Sequence, residues 1–202
     1  LGSDANCGYL LSGADGAILW RFPAADALYR ALALPDLNGD GKQDVLFCAG
    51  DNDYNAYCVS GGSPGGVGQL IWSRSTGASN QAAALNDDIN GDGLAETVVG
   101  NWSASNQVRC LDGDTGAVRW FFDNGSYNYI MRLVTLGDVN GNGYRDLAIG
   151  SWDRALRVID GQTGTLIWQS GAGTFDGGDL WAVDRVDDLT GDGRDEVVGG
   201  SF

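Results

Sequence analysis

An all-β array of four-stranded units is the fold class that this sequence predicts, and three observations predict it. A nine-residue stretch beginning at Asp36 returns at Asp88, Asp138 and Asp188, at spacings of 52, 50 and 50 residues, and self-similarity at such a period marks a repeat architecture. Each copy runs into a short apolar segment, Val45-Leu46-Phe47-Cys48, Thr97-Val98-Val99, Leu147-Ala148-Ile149 and Val197-Val198. Such runs, closed by Gly within two residues, read as buried strands. A strand–turn–strand unit ending in Trp also recurs, most clearly over residues 108–120 and 158–168. Four short antiparallel strands in about fifty residues make a β-propeller blade.

The elements follow in order. Residues 1–30 form a half blade, a polar turn at Leu1-Gly2-Ser3-Asp4 and then a hairpin closed by Trp20. In the blade 31–80, one strand at 31–35 leads into the nine-residue loop and a second at 45–50 leaves it. A third at 55–60 follows a polar hairpin, and a fourth at 69–73 contains Trp72. Blades 81–130 and 131–180 repeat this plan, and 181–202 is a second half blade. One large aromatic per repeat is the usual core device, so Trp20, Trp72, Trp120 and Trp168 are expected to pack between blades. Leu1-Gly2-Ser3 and Gly199-Gly200-Ser201 both correspond to Ile149-Gly150-Ser151. The array is therefore expected either to close within the chain or to be completed by neighbouring copies.

The nine-residue stretches have the chemistry of a hard-cation loop. Oxygen side chains stand at positions 1, 3, 5 and 9: Asp36, Asn38, Asp40 and Asp44; Asp88, Asn90, Asp92 and Glu96; Asp138, Asn140, Asn142 and Asp146; Asp188, Thr190, Asp192 and Glu196. Gly at position 6 permits a sharp turn, so that Lys42, Leu94, Tyr144 and Arg194 at position 7 can offer backbone carbonyls. Calcium takes about six to eight oxygens in a tolerant geometry, and this spacing supplies most of them, for up to four Ca²⁺. An EF-hand loop begins in the same way. It would run into a helix and carry a bidentate Glu at position 12, and neither feature is present here. The third copy, with Asn142 for Asp, and the fourth, with Thr190 for Asn, are expected to bind more weakly.

These loops with their following strands resemble the FG-GAP repeat of integrin alpha-chain propellers and many secreted bacterial proteins. The Asp-Gly-x-Thr-Gly-x-x-x-Trp hairpins at 112–120 and 160–168 resemble the tryptophan-docking repeat of quinoprotein-type propellers. The resemblance implies Ca²⁺ between the first two strands of a blade, and adhesion or carbohydrate association as typical roles.

Composition narrows the function. The net charge is −15, with eleven carboxylates at loop positions, and four Ca²⁺ would bring it to −7. Lys42 is the single Lys and no basic cluster exists, which excludes a nucleic-acid or anionic-lipid surface. No apolar run approaches the eighteen residues of a membrane span. His is absent, removing the commonest general base and every His triad. No uncommitted carboxylate pair suggests glycosidase chemistry, and the chain is expected not to be an enzyme. Lacking an initial Met, it reads as a mature form, a fragment or an excerpt.

Cys48 and Cys58 flank a hairpin centred on Asp53 and are expected to face each other as a disulfide; Cys7 and Cys110 have no evident partner. Asn101-Trp102-Ser103 and Asn124-Gly125-Ser126 are glycosylation sequons, expected in exposed turns. Trp102, Trp152 and Phe202 recur after the second strand, where exposed rings would stack on sugars. Together these features predict an extracellular or cell-surface, calcium-stabilised structural or adhesive protein. Its expected partners are copies of itself, other extracellular proteins or glycans. The alternative is a carbohydrate-binding propeller or the propeller portion of a polysaccharide-degrading enzyme.

Overall fold

The computed structural model describes residues 6–102, 105–126, 128–170 and 178–201. Among these residues, sixteen strands form five antiparallel sheets. β1 (Cys7–Leu11) and β2 (Ile18–Pro23) make a two-stranded sheet. β3 (Leu28–Leu34), β4 (Asp44–Ala49), β5 (Asn55–Ser60) and β6 (Gln69–Ser75) make the first four-stranded one. β7 (Ser79–Leu85), β8 (Thr97–Trp102), β9 (Gln107–Leu111) and β10 (Val118–Asp123) make the second. β11 (Ile130–Thr135), β12 (Leu147–Ser151), β13 (Leu156–Ile159) and β14 (Leu166–Gln169) make the third. β15 (Leu180–Val186) and β16 (Glu196–Ser201) close the chain as a pair. Strands follow chain order within every sheet, as in a blade. The all-β, blade-by-blade reading holds. β1–β2 and β15–β16 stand as separate two-stranded sheets.

The core is distributed between sheets. Leu34, Leu46, Cys58 and Trp72 of the first four-stranded sheet pack on Ala83, Val99 and Leu111 of the second. Val98, Val108 and Cys110 of the second pack on Ile130, Leu147 and Ile159 of the third. Leu156 and Val158 meet Leu180 and Val183 of the last pair, and Trp20 and Phe22 meet Phe47 and Val59 at the other end. Inner sheets are covered on both faces, which explains the unbroken apolar runs of β4, β8 and β12. Their residues are nearly all buried. β16 has the same place in its repeat but no buried residue.

The first strands β3, β7, β11 and β15 pack on one another in succession. Each carries a bulge, at Tyr29, Gln81, Met131 and Trp181, and a bulge re-aims its side chain.

The Trp residues act between sheets in three cases of four. The indole N–H of Trp20 donates to the Gly61 carbonyl at 3.1 Å, that of Trp72 to Gly113 at 2.8 Å and that of Trp120 to Gly161 at 3.1 Å. Each bond spans 41 residues, so each joins one repeat to the turn of the next. Gly116 (φ +66°) and Gly164 (φ +73°) lie under the rings, where a Cβ would sit 2.5 Å from Trp72 or Trp120. Trp168 departs from the expectation. It is 39% exposed, with no later turn among the described residues to receive it.

The expected Cys48–Cys58 disulfide is corrected. Cys48 pairs with Ala56 and Cys58 with Leu46, so the hairpin is centred one residue earlier than Asp53. A one-residue shift of centre displaces the opposite partner by two. Both cysteines are buried free thiols, and burial pushes each up to about 12.

Candidate metal loops

The four loops lie between the first and second strands of successive repeats. Their backbone turns on Gly at positions 4 and 6, all at φ between +75° and +92°: Gly39 and Gly41, Gly91 and Gly93, Gly141 and Gly143, Gly191 and Gly193. Side-chain residues avoid that left-handed region. The position-1 Asp organises the turn. Asp36 accepts the N–H groups of Gly39 (2.7 Å), Asp40 (3.1 Å) and Gly41 (2.7 Å). Asp88, Asp138 and Asp188 accept the equivalent three. Backbone donors, the position-6 glycine N–H foremost, hold Asp88, Asp138 and Asp188 below the usual carboxylate range.

The amide oxygens of Asn38, Asn90 and Asn140 at position 3 accept the position-5 N–H. Position 5, in turn, accepts the N–H of position 7: Lys42 on Asp40, Leu94 on Asp92, Tyr144 on Asn142 and Arg194 on Asp192. Thr190 stands exposed at position 3 of the fourth loop.

Position 9 anchors each loop from beneath. Asp44, Glu96, Asp146 and Glu196 accept the N–H of position 2 at 2.8, 3.1, 2.8 and 2.6 Å. The second oxygens of Asp44 and Asp146 also take the N–H of Gly61 (3.2 Å) and Gly161 (3.1 Å) from the far turn of the blade. Glu96 is one methylene longer, and its Oε1 is buried with no hydrogen-bond partner. Burial pushes Glu96 up to about 7, and the neighbouring charges of Asp88, Asp92 and Asp112 push in the same direction. Burial likewise raises Asp44 and Asp146. In the fourth loop, oxygens of Asp188, Asp192 and Glu196 all lie within 4.8 Å of one another. The donor set is entirely oxygen, the preference of Ca²⁺ and Mg²⁺, and an orphaned buried carboxylate oxygen suits a hard cation.

Three loop neighbours escaped the sequence reading. They stand on the turn between the third and fourth strands, one at the same place in each blade. Ser60 Oγ donates to Asp40 at 2.8 Å, and this bond is the largest cause holding the Asp40 carboxyl below its usual range. Asp112 Oδ2 accepts from Asn90 Nδ2 at 3.0 Å. Asp160 Oδ2 accepts from Asn140 Nδ2 at 2.5 Å and Asn142 Nδ2 at 2.6 Å. Their Asp-Gly signal was present twice in the sequence but read as turn chemistry alone.

The sequons are corrected. Asn101 is fully buried at the end of β8, where its Nδ2 donates to Asn80 Oδ1 (2.8 Å) and Thr76 Oγ1 (3.2 Å). Asn124 is 4% exposed and donates to the Asn128 carbonyl at 2.7 Å. Neither amide nitrogen is presented for glycosylation.

Trp102 and Trp152 belong to a row with Tyr129 and Trp181. Successive ring centroids are 5.7, 4.9 and 6.4 Å apart. Trp102 is partly covered, whereas Trp152 and Trp181 are 38% and 49% exposed. Phe202 lies outside the described residues.

No family model and no curated protein sequence matches the chain. Its likeness is to solved structures. BBS1N, in a crystal structure with ARL6DN, is 8% identical with a TM-score of 0.66, over 98% of this chain and 55% of that one. Sqt1 of Saccharomyces cerevisiae is 16% identical with a TM-score of 0.62, over 79% and 43%. BamB of Moraxella catarrhalis is 18% identical with a TM-score of 0.53, over 81% and 41%. The chain spans about half the length of these structures. At such identities they show the fold alone, and the class is a β-propeller-type repeat array.

Proposed function

We propose that this chain is an extracellular structural or adhesive repeat protein whose blades are stabilised by calcium. The carrying observation is the Glu96 carboxylate, buried in the second loop with Oε1 unpartnered beside Asp88 and Asp92. A bound cation would supply the missing partner and offset the like charges. Asp36, Asn38, Asp40 and Asp44 would hold the ion in the first loop, with their counterparts in the other three. The position-7 carbonyls of Lys42, Leu94, Tyr144 and Arg194 would complete the sets. A cation there ties the first strand of a blade to the second.

Thermal unfolding in millimolar Ca²⁺ and then in excess EDTA tests this. Binding to the native state alone adds about 2.7 kcal/mol per site at a hundredfold excess over Kd, so EDTA should lower the melting temperature. An unchanged melt would refute the cation reading.

Head-to-tail assembly is part of the proposal. Trp168 and Ile167 line a groove of about 550 Å³ with Asn140, Thr190, Asp192 and Arg194, beside β16, which pairs with β15 on one edge only among the described residues. A β1–β2 hairpin from a second copy would bring the Gly13 carbonyl to Trp168 and extend the β16 edge. It would also bring Gly16 (φ +74°), which has nothing within 4 Å of a Cβ position, under the Trp168 ring. Light scattering in millimolar Ca²⁺ tests this, with a mass above one chain expected and a monomer excluding it.

A second reading, carbohydrate binding, is favoured by the exposed rings of Trp152 and Trp181. Tryptophan fluorescence titrated with oligosaccharides tests it, and no spectral change across a broad glycan panel would exclude it.

A further inference from the structure

We propose that Asp112 and Asp160, which lie outside the nine-residue loops, belong to the second and third cation sites; the inference rests on the calcium reading above. Both are 6% exposed, and both are held in the same way. Asp112 Oδ1 accepts from Thr115 N (2.9 Å) and Thr115 Oγ1 (2.7 Å). Asp160 Oδ1 accepts from Thr163 N (2.7 Å) and Thr163 Oγ1 (2.9 Å). The turn thereby fixes each carboxylate and sends its Oδ2 toward the cation loop.

That oxygen has two effects on the loop. It accepts from Nδ2 of Asn90, which donates also to Asp92 Oδ2 at 2.8 Å, or from Nδ2 of Asn140 and Asn142, and so settles which end of each amide is the nitrogen. An Asn coordinates hard cations through oxygen, so holding its nitrogen elsewhere prepares the Oδ1. Each carboxylate also adds one negative charge at the loop. The independent sign of a ligand is Glu96 Oε1, fully buried in the second loop without a partner. Arg119, 3.5 Å from Asp112 Oδ2, is 38% exposed and offsets that charge weakly.

The consequence is a different ranking of the sites. Counting motif residues alone, the third loop is the poorest, with Asp138 and Asp146. Asp160 brings it to three carboxylates, equal to the first loop, whose turn residue is the neutral Ser60. Asp112 brings the second loop to four. The second site is thus the tightest, and the third is no weaker than the first.

Calcium titration of the intact 202-residue chain by calorimetry tests this on the wild type, Asp112→Asn, Asp160→Asn and Asp114→Asn. Asn keeps an Oδ1 acceptor for Thr115 or Thr163, so the turn survives while the charge is lost. Asp114, exposed on the same turn, controls for net charge. Loss of an outer-shell partner weakens a metal site about 10- to 100-fold. That loss is expected for one site in Asp112→Asn and one in Asp160→Asn, and for none in Asp114→Asn. Hydrogen exchange should locate it at Gly91–Gly93 in the first variant and Gly141–Gly143 in the second. Should Asp112→Asn fail to fold, Asp112→Ser installs the residue that the first repeat carries at position 60, with the same expected loss. Wild-type binding with unchanged variants would overturn this inference alone. A wild type that binds no calcium would overturn the cation reading beneath it.

Discussion

The second and fourth loops carry the same residue at five of their nine positions and differ in what surrounds them. Both bend on two left-handed glycines, both cap the bend with an Asp, and both end on a Glu that accepts the N–H of position 2. Glu96 is nevertheless fully buried, with the charge of Asp112 nearby. Asp188 and Asp192 of the fourth loop are exposed and Glu196 half-buried. Nine residues therefore specify a turn, whereas neighbouring repeats specify its electrostatics. Interior repeats bury the position-9 carboxylates Asp44, Glu96 and Asp146, where charges interact strongly, whereas the outer pair β15–β16 leaves Glu196 partly in solvent, where charge is screened.

The largest test of that contrast is chelation followed by hydrogen exchange. Moving from saturating calcium to EDTA should speed exchange throughout, by about 2.7 kcal/mol per site emptied from a hundredfold excess over Kd. The loss should be greatest across β7–β8 and least across β15–β16. Equal losses in all four repeats would erase the difference.

Next comes a pair of truncations. Trp72→Ala removes a ring that is 6% exposed and a hydrogen bond to Gly113, and should cost about 3–5 kcal/mol in urea unfolding. Trp168→Ala, at 39% exposure, should cost well under half as much in the monomer. Similar costs would mean that the outer seam is covered in solution.

Smaller effects come from ion pairs. Arg157 is bonded to Asp153 and Ser151, with Nη1 contacts at 3.0 and 2.9 Å, and the pair is mostly buried. Burial pushes Asp153 up, but the bonds from Arg157 and Ser151 prevail and hold it below 3.8. A depressed folded-state value gives stability that is present above the unfolded value and lost as the pH falls through the folded one. Asp153→Asn should therefore cost about 1.5–3 kcal/mol at pH 7, and should flatten the loss of stability below pH 3.8. Arg185 in the outer pair lies 3.5 Å from Asp187 and 3.6 Å from Asp195, half-exposed. Arg185→Ala should cost less than about 1 kcal/mol. A large effect there would place β15–β16 in a buried setting.

Much of the architecture was legible because it rests on local signals. Apolar runs after each loop became β4, β8, β12 and β16, and the Gly-containing turns before each Trp became hairpins. What was not legible depends on register and on neighbours. Cys48 and Cys58 look paired in a row of letters, yet a hairpin centre off by one residue places Ala56 and Leu46 opposite them. Asn101 reads as a turn residue because Trp102 and Ser103 follow, but β8 runs through Trp102. The buried Thr76–Asn80–Asn101 network that claims its amide joins two separate stretches of the chain, 76–80 and 101. Asp160 stands 22 positions from Asp138, so only folding shows that its carboxylate reaches Asn140 and Asn142.

The direction of the indole bonds has a consequence for biosynthesis. Trp20, Trp72 and Trp120 each reach forward to a carbonyl 41 residues later, never backward. A nascent chain leaving the ribosome would thus carry each repeat one clasp short until the following turn emerged. Its growing end would always be the least finished part, and the point most in need of a chaperone.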